Sequence, residues 1–401
     1  MSVRRRLTAT LFGGAALGTT GYIAAVTVSA LAVEEITGRA TLAGLPGAMA
    51  IVGTAAGTSL LTLGVDRWGR RPGLVVGYLL GAAGATAAVA AVVTASVWLL
   101  LAGTTVLGLG HASNQLARYT GAELFAPERR ATALSLIVWA GTIGSVLGPV
   151  LLEPGGALTV ARGYSELAGG YVITFGFMAA AALLYMLALR PDPAALAHDG
   201  PSRRGRTSFG DAFRRPHVQV ALAAMISGQV VMVLIMVATP LHIRHHGFDL
   251  GIVGLVMSAH TLGMFAFSPL TGRLADRLGR YRTVLIGLGL LGLSAVMAAT
   301  APATSTTVLL VALFLLGLGW NFGFVAGSAL LTVGFSPQLR ARLQGRADSV
   351  TWLASAAASF ASGMVFEMTD YRLLSVVGLA LLALPTLIVV RHRAAVATVP
   401  A

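Results

Sequence analysis

The stretch Gly272-Arg273-Leu274-Ala275-Asp276-Arg277-Leu278-Gly279-Arg280-Tyr281-Arg282 joins two long apolar runs, and its core occurs twice in the chain. Asp66-Arg67-Trp68-Gly69-Arg70-Arg71 stands 210 residues earlier, again between apolar runs. Two further pairs keep that spacing. Leu107-Gly108-Leu109-Gly110 returns as Leu316-Gly317-Leu318-Gly319 at an offset of 209, and Pro127 pairs with Pro337 at 210. A common offset at three separate places predicts two parallel repeats, each about half of the chain.

Composition says what surrounds those repeats. Of 401 residues, 56% are hydrophobic and only 11% are charged. An ordinary soluble domain carries about 25% charged residues, so this chain cannot coat water-facing domains of its length. Its hydrophobicity equally excludes a disordered chain. A soluble enzyme is ruled out and a bilayer is the expected solvent. A membrane-spanning helix needs about 20 apolar residues. Twelve such runs are read at 7–33, 41–64, 73–93, 97–122, 131–153, 171–190, 217–241, 250–272, 283–301, 307–333, 350–367 and 372–390. Barrel strands need only about 9–11 residues, so these are helices. Arg4, Arg5, Arg6 and Ala30-Leu31-Ala32 imitate a secretory signal, but the run between them exceeds the about 7–15 residues of a signal core. It is read as the uncleaved first span.

The formal net charge of +13 would suit a nucleic-acid binder, yet all 28 basic residues are arginine and their placement excludes that reading. Alternating the spans from an inner N-terminus puts 23 arginines on the inner side and four on the outer side, with Arg118 inside a span. Such asymmetry orients membrane proteins, so both termini are expected in the cytoplasm. The longest inner connection, 191–216, has six spans on either side. The expected organisation is therefore a six-helix bundle at 1–190, a cytoplasmic linker at 191–216 and a second bundle at 217–401. Parallel repeats of this kind are built into secondary transporters, with the solute site between the halves.

The segment from Gly272 to Arg282 resembles the cytoplasmic signature of the major facilitator superfamily, between the second and third helices of each half. The first copy fits from Asp66 to Arg71, with Thr62 where the leading glycine would stand. The resemblance covers the whole chain and implies an all-α polytopic membrane protein of twelve transmembrane helices in two six-helix bundles. Physically, Gly69 and Gly279 permit a tight turn, and Asp66 and Asp276 can accept hydrogen bonds at a helix N-terminus. By resemblance, Asp66, Arg67, Gly69, Arg70, Gly272, Asp276, Arg277, Gly279 and Arg280 form a cytoplasmic latch, whose arginines can reach carboxylates such as Glu123. In the fifth span Gly141, Gly144, Gly148 and Pro149 partly match the motif of drug antiporters, with Leu152 where a further glycine is expected. Glycines four apart also let helices pack closely. The family's fourth-helix arginine is replaced by Thr104.

Polar side chains within spans are costly and mark solute pathways. In the family, the first, fourth, seventh and tenth helices line the cavity and the third, sixth, ninth and twelfth face lipid. The candidates are Tyr22 in the first span, His111, Asn114, Gln115 and Arg118 in the fourth, Gln229 in the seventh, His260 in the eighth, and Trp320 and Asn321 in the tenth. His111 and Trp320 occupy corresponding repeat positions. An imidazole can change charge near neutral pH, and no carboxylate lies near the middle of any span, so a histidine or an acid at a span end is the expected proton carrier.

With no cysteine there is no thiolate metal site, and no phosphate-binding loop or catalytic elbow occurs. The expectation is a bacterial inner-membrane carrier, not an enzyme. It has no cofactor or metal, draws on the proton gradient, and works as a monomer in the lipid bilayer without nucleic acid. It moves a small organic solute by rocker-switch alternating access, with proton-coupled efflux preferred. The alternative is an importer or facilitator of an organic anion. A transport-dead sensor is disfavoured by intact loop signatures in both halves.

Overall fold

The computed structural model describes residues 3–125, 130–196, 212–302, 305–331, 333–335 and 337–393, and these are helical with no strand among them. In chain order the helices are α1 Val3–Thr37, α2 Leu45–Trp68, α3 Arg70–Val93, α4 Val97–Glu123, α5 Arg130–Val150, α6 Leu152–Val160 and α7 Glu166–Ala188. There follow α8 Pro216–His245, α9 Leu250–Phe265, α10 Ser268–Leu278, α11 Arg280–Thr300, α12 Thr306–Leu331, α13 Pro337–Met368, α14 Tyr371–Leu381 and α15 Ala383–Arg391. Nine helices among the described residues are long and apolar enough to cross a membrane, and two bent pairs raise the number to eleven. Pro127 lies outside the described residues.

The runs read as the fifth and eighth spans are each made of two helices that meet at a bend. α5 and α6 meet at 41°, and α9 and α10 at 40°. Pro149 lies inside α5, two residues before the break at Leu151, and its missing N–H leaves a carbonyl one turn earlier without its helical donor. The second break was also legible: Pro269 follows Ser268 in the first turn of α10, where proline is favoured.

The structure divides into two compact units, residues 1–200 with 243–258, and residues 201–242 with 259–401. In each, the repeated Gly-Leu-Gly triplet does the same packing work. In the first unit a side chain at Gly108 would strike the backbone of Ala50 in α2, and one at Gly110 that of Gly81 in α3. In the second, Gly317 lies against the backbone of His260 in α9, and Gly319 against that of Gly287 in α11. One helix thus seats two neighbours through two glycines, since small residues allow close backbone approach in the absence of a hydrophobic drive. Hydroxyls such as those of Thr20, Thr27 and Thr351 bond back to the carbonyl one turn earlier, which satisfies them where no water is at hand.

Segment 243–258 is held within the first unit by polar contacts. Arg244 pairs with Glu166, His245 Nε2 lies 2.7 Å from a Glu34 oxygen, and Ser258 donates to the carbonyl of Val146.

Candidate functional site

The two loop glycines adopt left-handed backbone, Gly69 at φ 96° and Gly279 at φ 87°, as the tight-turn reading requires. What surrounds them differs. The N-terminus of α3 is capped by Asp192, whose carboxylate accepts from the backbone N–H of Arg70 at 3.2 Å and of Arg71 at 3.0 Å. Arg71 also donates to the carbonyl of Met186. Asp192 lies in the stretch following α7 and was not among the sequence candidates. The side chains of Asp66 and Glu123 lie outside the described residues. Arg67, Asp276 and Arg277 are exposed, and Asp276 makes no ion pair among the described residues. A side chain at Gly272 would meet open space, so glycine is not sterically required there.

In α5, Gly144 and Gly148 face the backbone of α1, where a side chain would strike Ala16 and Thr20 respectively. Gly141 has only ordinary contact with Thr19. The described geometry of these two glycines is helix packing.

The polar candidates of α1 and α4 form one network. Asn114 is buried; its Oδ1 accepts from Tyr78 at 2.5 Å, and its Nδ2 donates to Thr19 at 3.2 Å and reaches His111 Nδ1 at 3.2 Å. An amide nitrogen can only donate, so His111 Nδ1 is an acceptor and its Nε2 carries the proton. The imidazole stacks on Tyr22, with ring centres 3.6 Å apart and planes 13° from parallel. Both rings are half-exposed. Gln115 and Arg118 are half-buried on α4, Arg118 two turns beyond His111 on the same face.

Tyr78 corrects the sequence reading that α3 turns only to lipid. It is fully buried, its ring meets Tyr185 edge-on at 5.4 Å, and Tyr185 in turn donates to the carbonyl of Leu11. Tyr171 of α7 is fully buried as well and reaches Ser29. A tyrosine ring suits an apolar surrounding while its hydroxyl requires a partner, so these phenols turn to neighbouring helices.

In the second unit, Gln229 is a fixed bracket. Its Oε1 accepts the indole N–H of Trp320 at 2.7 Å and its Nε2 donates to Ser355 at 3.1 Å. Trp320 stacks on Phe324 at 4.9 Å and meets Phe265 edge-on at 6.0 Å. Asn321 serves the helix break. Its Nδ2 donates to the Met264 carbonyl at 2.6 Å and to Ser268 at 2.7 Å, and its Oδ1 accepts from Thr271 at 2.6 Å. That amide is spent on α9 and α10, which leaves little for a solute. His260 is fully buried; its Nδ1 bonds the Leu313 carbonyl at 2.9 Å, and its Nε2 has no partner among the described residues.

Arrangements of this kind recur in known proteins. The sequence model of the Major Facilitator Superfamily matches residues 10–251 and, overlapping, 220–400. The uncharacterized MFS-type transporter YdeG of Bacillus subtilis is 37% identical over 392 residues, covering 96% of this chain and 90% of the relative. The riboflavin transporter RfnT of Brucella anthropi is 28% identical over 362 residues, 89% of this chain and 88% of that one. The crystal structure of the nucleoside transporter NupG superposes with a TM-score of 0.73 over 98% of this chain and 99% of its own, at 16% identity. At that identity the likeness is one of fold.

Proposed function

The chain belongs to the Major Facilitator Superfamily and is a multi-pass membrane transporter of small solutes, not an enzyme, and within that activity we propose proton-coupled export by alternating access. The bond from Asn114 to His111 carries this reading. A proton added at Nδ1 turns an acceptor into a donor facing another donor. Protonation must therefore break that bond and release the imidazole from the Asn114 network. A solute bound through the network and a proton on His111 then compete, which is the logic of an exchanger. The packing of Gly144 and Gly148 on α1 suits the antiporter-like motif of the fifth span.

In this reading α4 is the twelfth span. Its 27 residues reach about 40 Å, and His111, Asn114, Gln115 and Arg118 dilute its apolar character. Both termini lie in the cytoplasm of a bacterial inner membrane, and the bundles correspond to 1–190 and 217–401. The loops around Asp66 and Asp276 latch the inner side. Asp276→Asn is expected to slow turnover; unchanged turnover would remove the latch.

Purified protein in liposomes tests the mode. Solute flux is expected to follow an imposed pH gradient, and His111→Phe, which keeps the ring but loses the proton, is expected to uncouple it. Flux indifferent to the gradient in the unaltered protein rules out antiport.

A second reading is uptake or facilitated passage of an organic anion or flavin-like solute. Arg118, the lack of a mid-span carboxylate and the relationship to a riboflavin transporter favour it. Export and uptake separate by the direction of net flux in right-side-out and inverted vesicles.

A further inference from the structure

We propose that the first unit recognises its solute by stacking, and that the solute carries a planar, fused heteroaromatic ring laid against Tyr22 and His111. The proposal deepens the transport reading by naming a substrate class, and it depends on neither proton coupling nor direction.

Four observations carry it. The two rings already form a stack, with centres 3.6 Å apart and planes 13° from parallel, and both are half-buried rather than sealed. The stack is fixed from behind through His111, which Asn114 holds, itself held by Tyr78 and Thr19. A platform locked in this way loses little freedom on binding, so its area converts efficiently to affinity. The His111 Nε2–H and, one turn further along α4, the half-buried Gln115 amide are engaged by no hydrogen bond among the described residues. The His111 N–H suits a ring nitrogen or carbonyl and the Gln115 amide can both donate and accept at such an edge, and no mid-span carboxylate is present to hold a cation.

The fourth observation comes from the second unit taken by itself. Trp320 stands 209 residues after His111, at the same repeat position, and it too is half-exposed and stacked, here on Phe324. Its indole N–H is already given to Gln229. What Trp320 still offers is the π-face. Had the position been merely structural in both repeats, burial would serve as well; instead each repeat places an oriented ring with accessible surface there.

The test is binding by the full-length purified protein, read as a shift in thermal unfolding with concentration. Quinoline-2-carboxamide, xanthine and lumichrome serve as planar probes, with the neutral decahydronaphthalene-2-carboxamide as the saturated control. At least one planar probe is expected to bind about tenfold tighter than the control, the upper range for one aromatic pair. Tyr22→Leu is expected to remove that preference and Tyr22→Phe to keep it, which separates lost stacking from a lost hydroxyl. If Tyr22→Leu unfolds, His111→Leu provides the same comparison. Equal binding of planar and saturated compounds, no binding by any planar probe, or a preference that survives both leucine variants overturns the proposal. None of these outcomes bears on the pH-gradient flux assay, so failure of the ring class and failure of proton coupling are read separately.

Discussion

The turns at Gly69 and Gly279 share one sequence pattern and one backbone conformation, but their neighbours differ. At Gly69 the Asp192 carboxylate closes over the N-terminus of α3, and its Oδ2 lies 2.6 Å from where a β-carbon would sit. At Gly279 no described atom lies within 4 Å of that place. The spans show the same contrast. Asn114 in the first unit binds side chains, a phenol, a hydroxyl and an imidazole, whereas Asn321 in the second binds the break between α9 and α10. Repetition has preserved the backbone and the glycine packing. The polar side chains have diverged, so that the first unit carries a network of side chains and the second a structural clasp.

The largest test of that contrast is Asn321→Ala. It leaves a buried carbonyl and two hydroxyls without their partner, at a cost of about 3 kcal/mol or more. Stability in urea or heat is expected to fall sharply, while Asn114→Ala is expected to cost less stability and to disturb solute flux more. If the two exchange roles, the division between clasp and network is wrong. Next come Gly69→Ala and Gly279→Ala. Both force a side chain into strained backbone, at about 1–3 kcal/mol, and Gly69→Ala is expected to be the worse because its methyl meets Asp192. In an Asp192→Ala background the two should become nearly equal. Asp192→Ala alone removes a carboxylate from a helix N-terminus and is expected to cost about 1 kcal/mol. The smallest effect is that of Tyr78→Phe, about 1 kcal/mol or less for one neutral hydrogen bond, read best as a changed pH response of flux.

Much of this was legible in the sequence because it depends on local rules. Apolar length marked the spans, the offset of 210 marked the repeat, and the loop glycines marked the left-handed turns. Asp192 was not legible, since its partners stand 121 and 122 residues away and a lone aspartate between prolines carries no pattern. Tyr78 was obscured by assigning its whole helix to lipid, although one helix can show lipid on one face and a neighbour on the other. Asn321 was read as solute-facing because an amide in a span demands partners. The sequence could not say that a broken neighbouring helix would supply them.

The clasp has a mechanical consequence. α10 has 11 residues, an arm about 16 Å long that runs from the break to the turn at Gly279. One amide of α12 bonds twice to the near end of that arm and once to the end of α9, so it ties the angle of the break to the position of α12. A change of about 10° there would carry the far end by about 3 Å, given the arm's length. α12 thereby sets the position of the loop at the end of α10, as a fulcrum sets the tip of a lever.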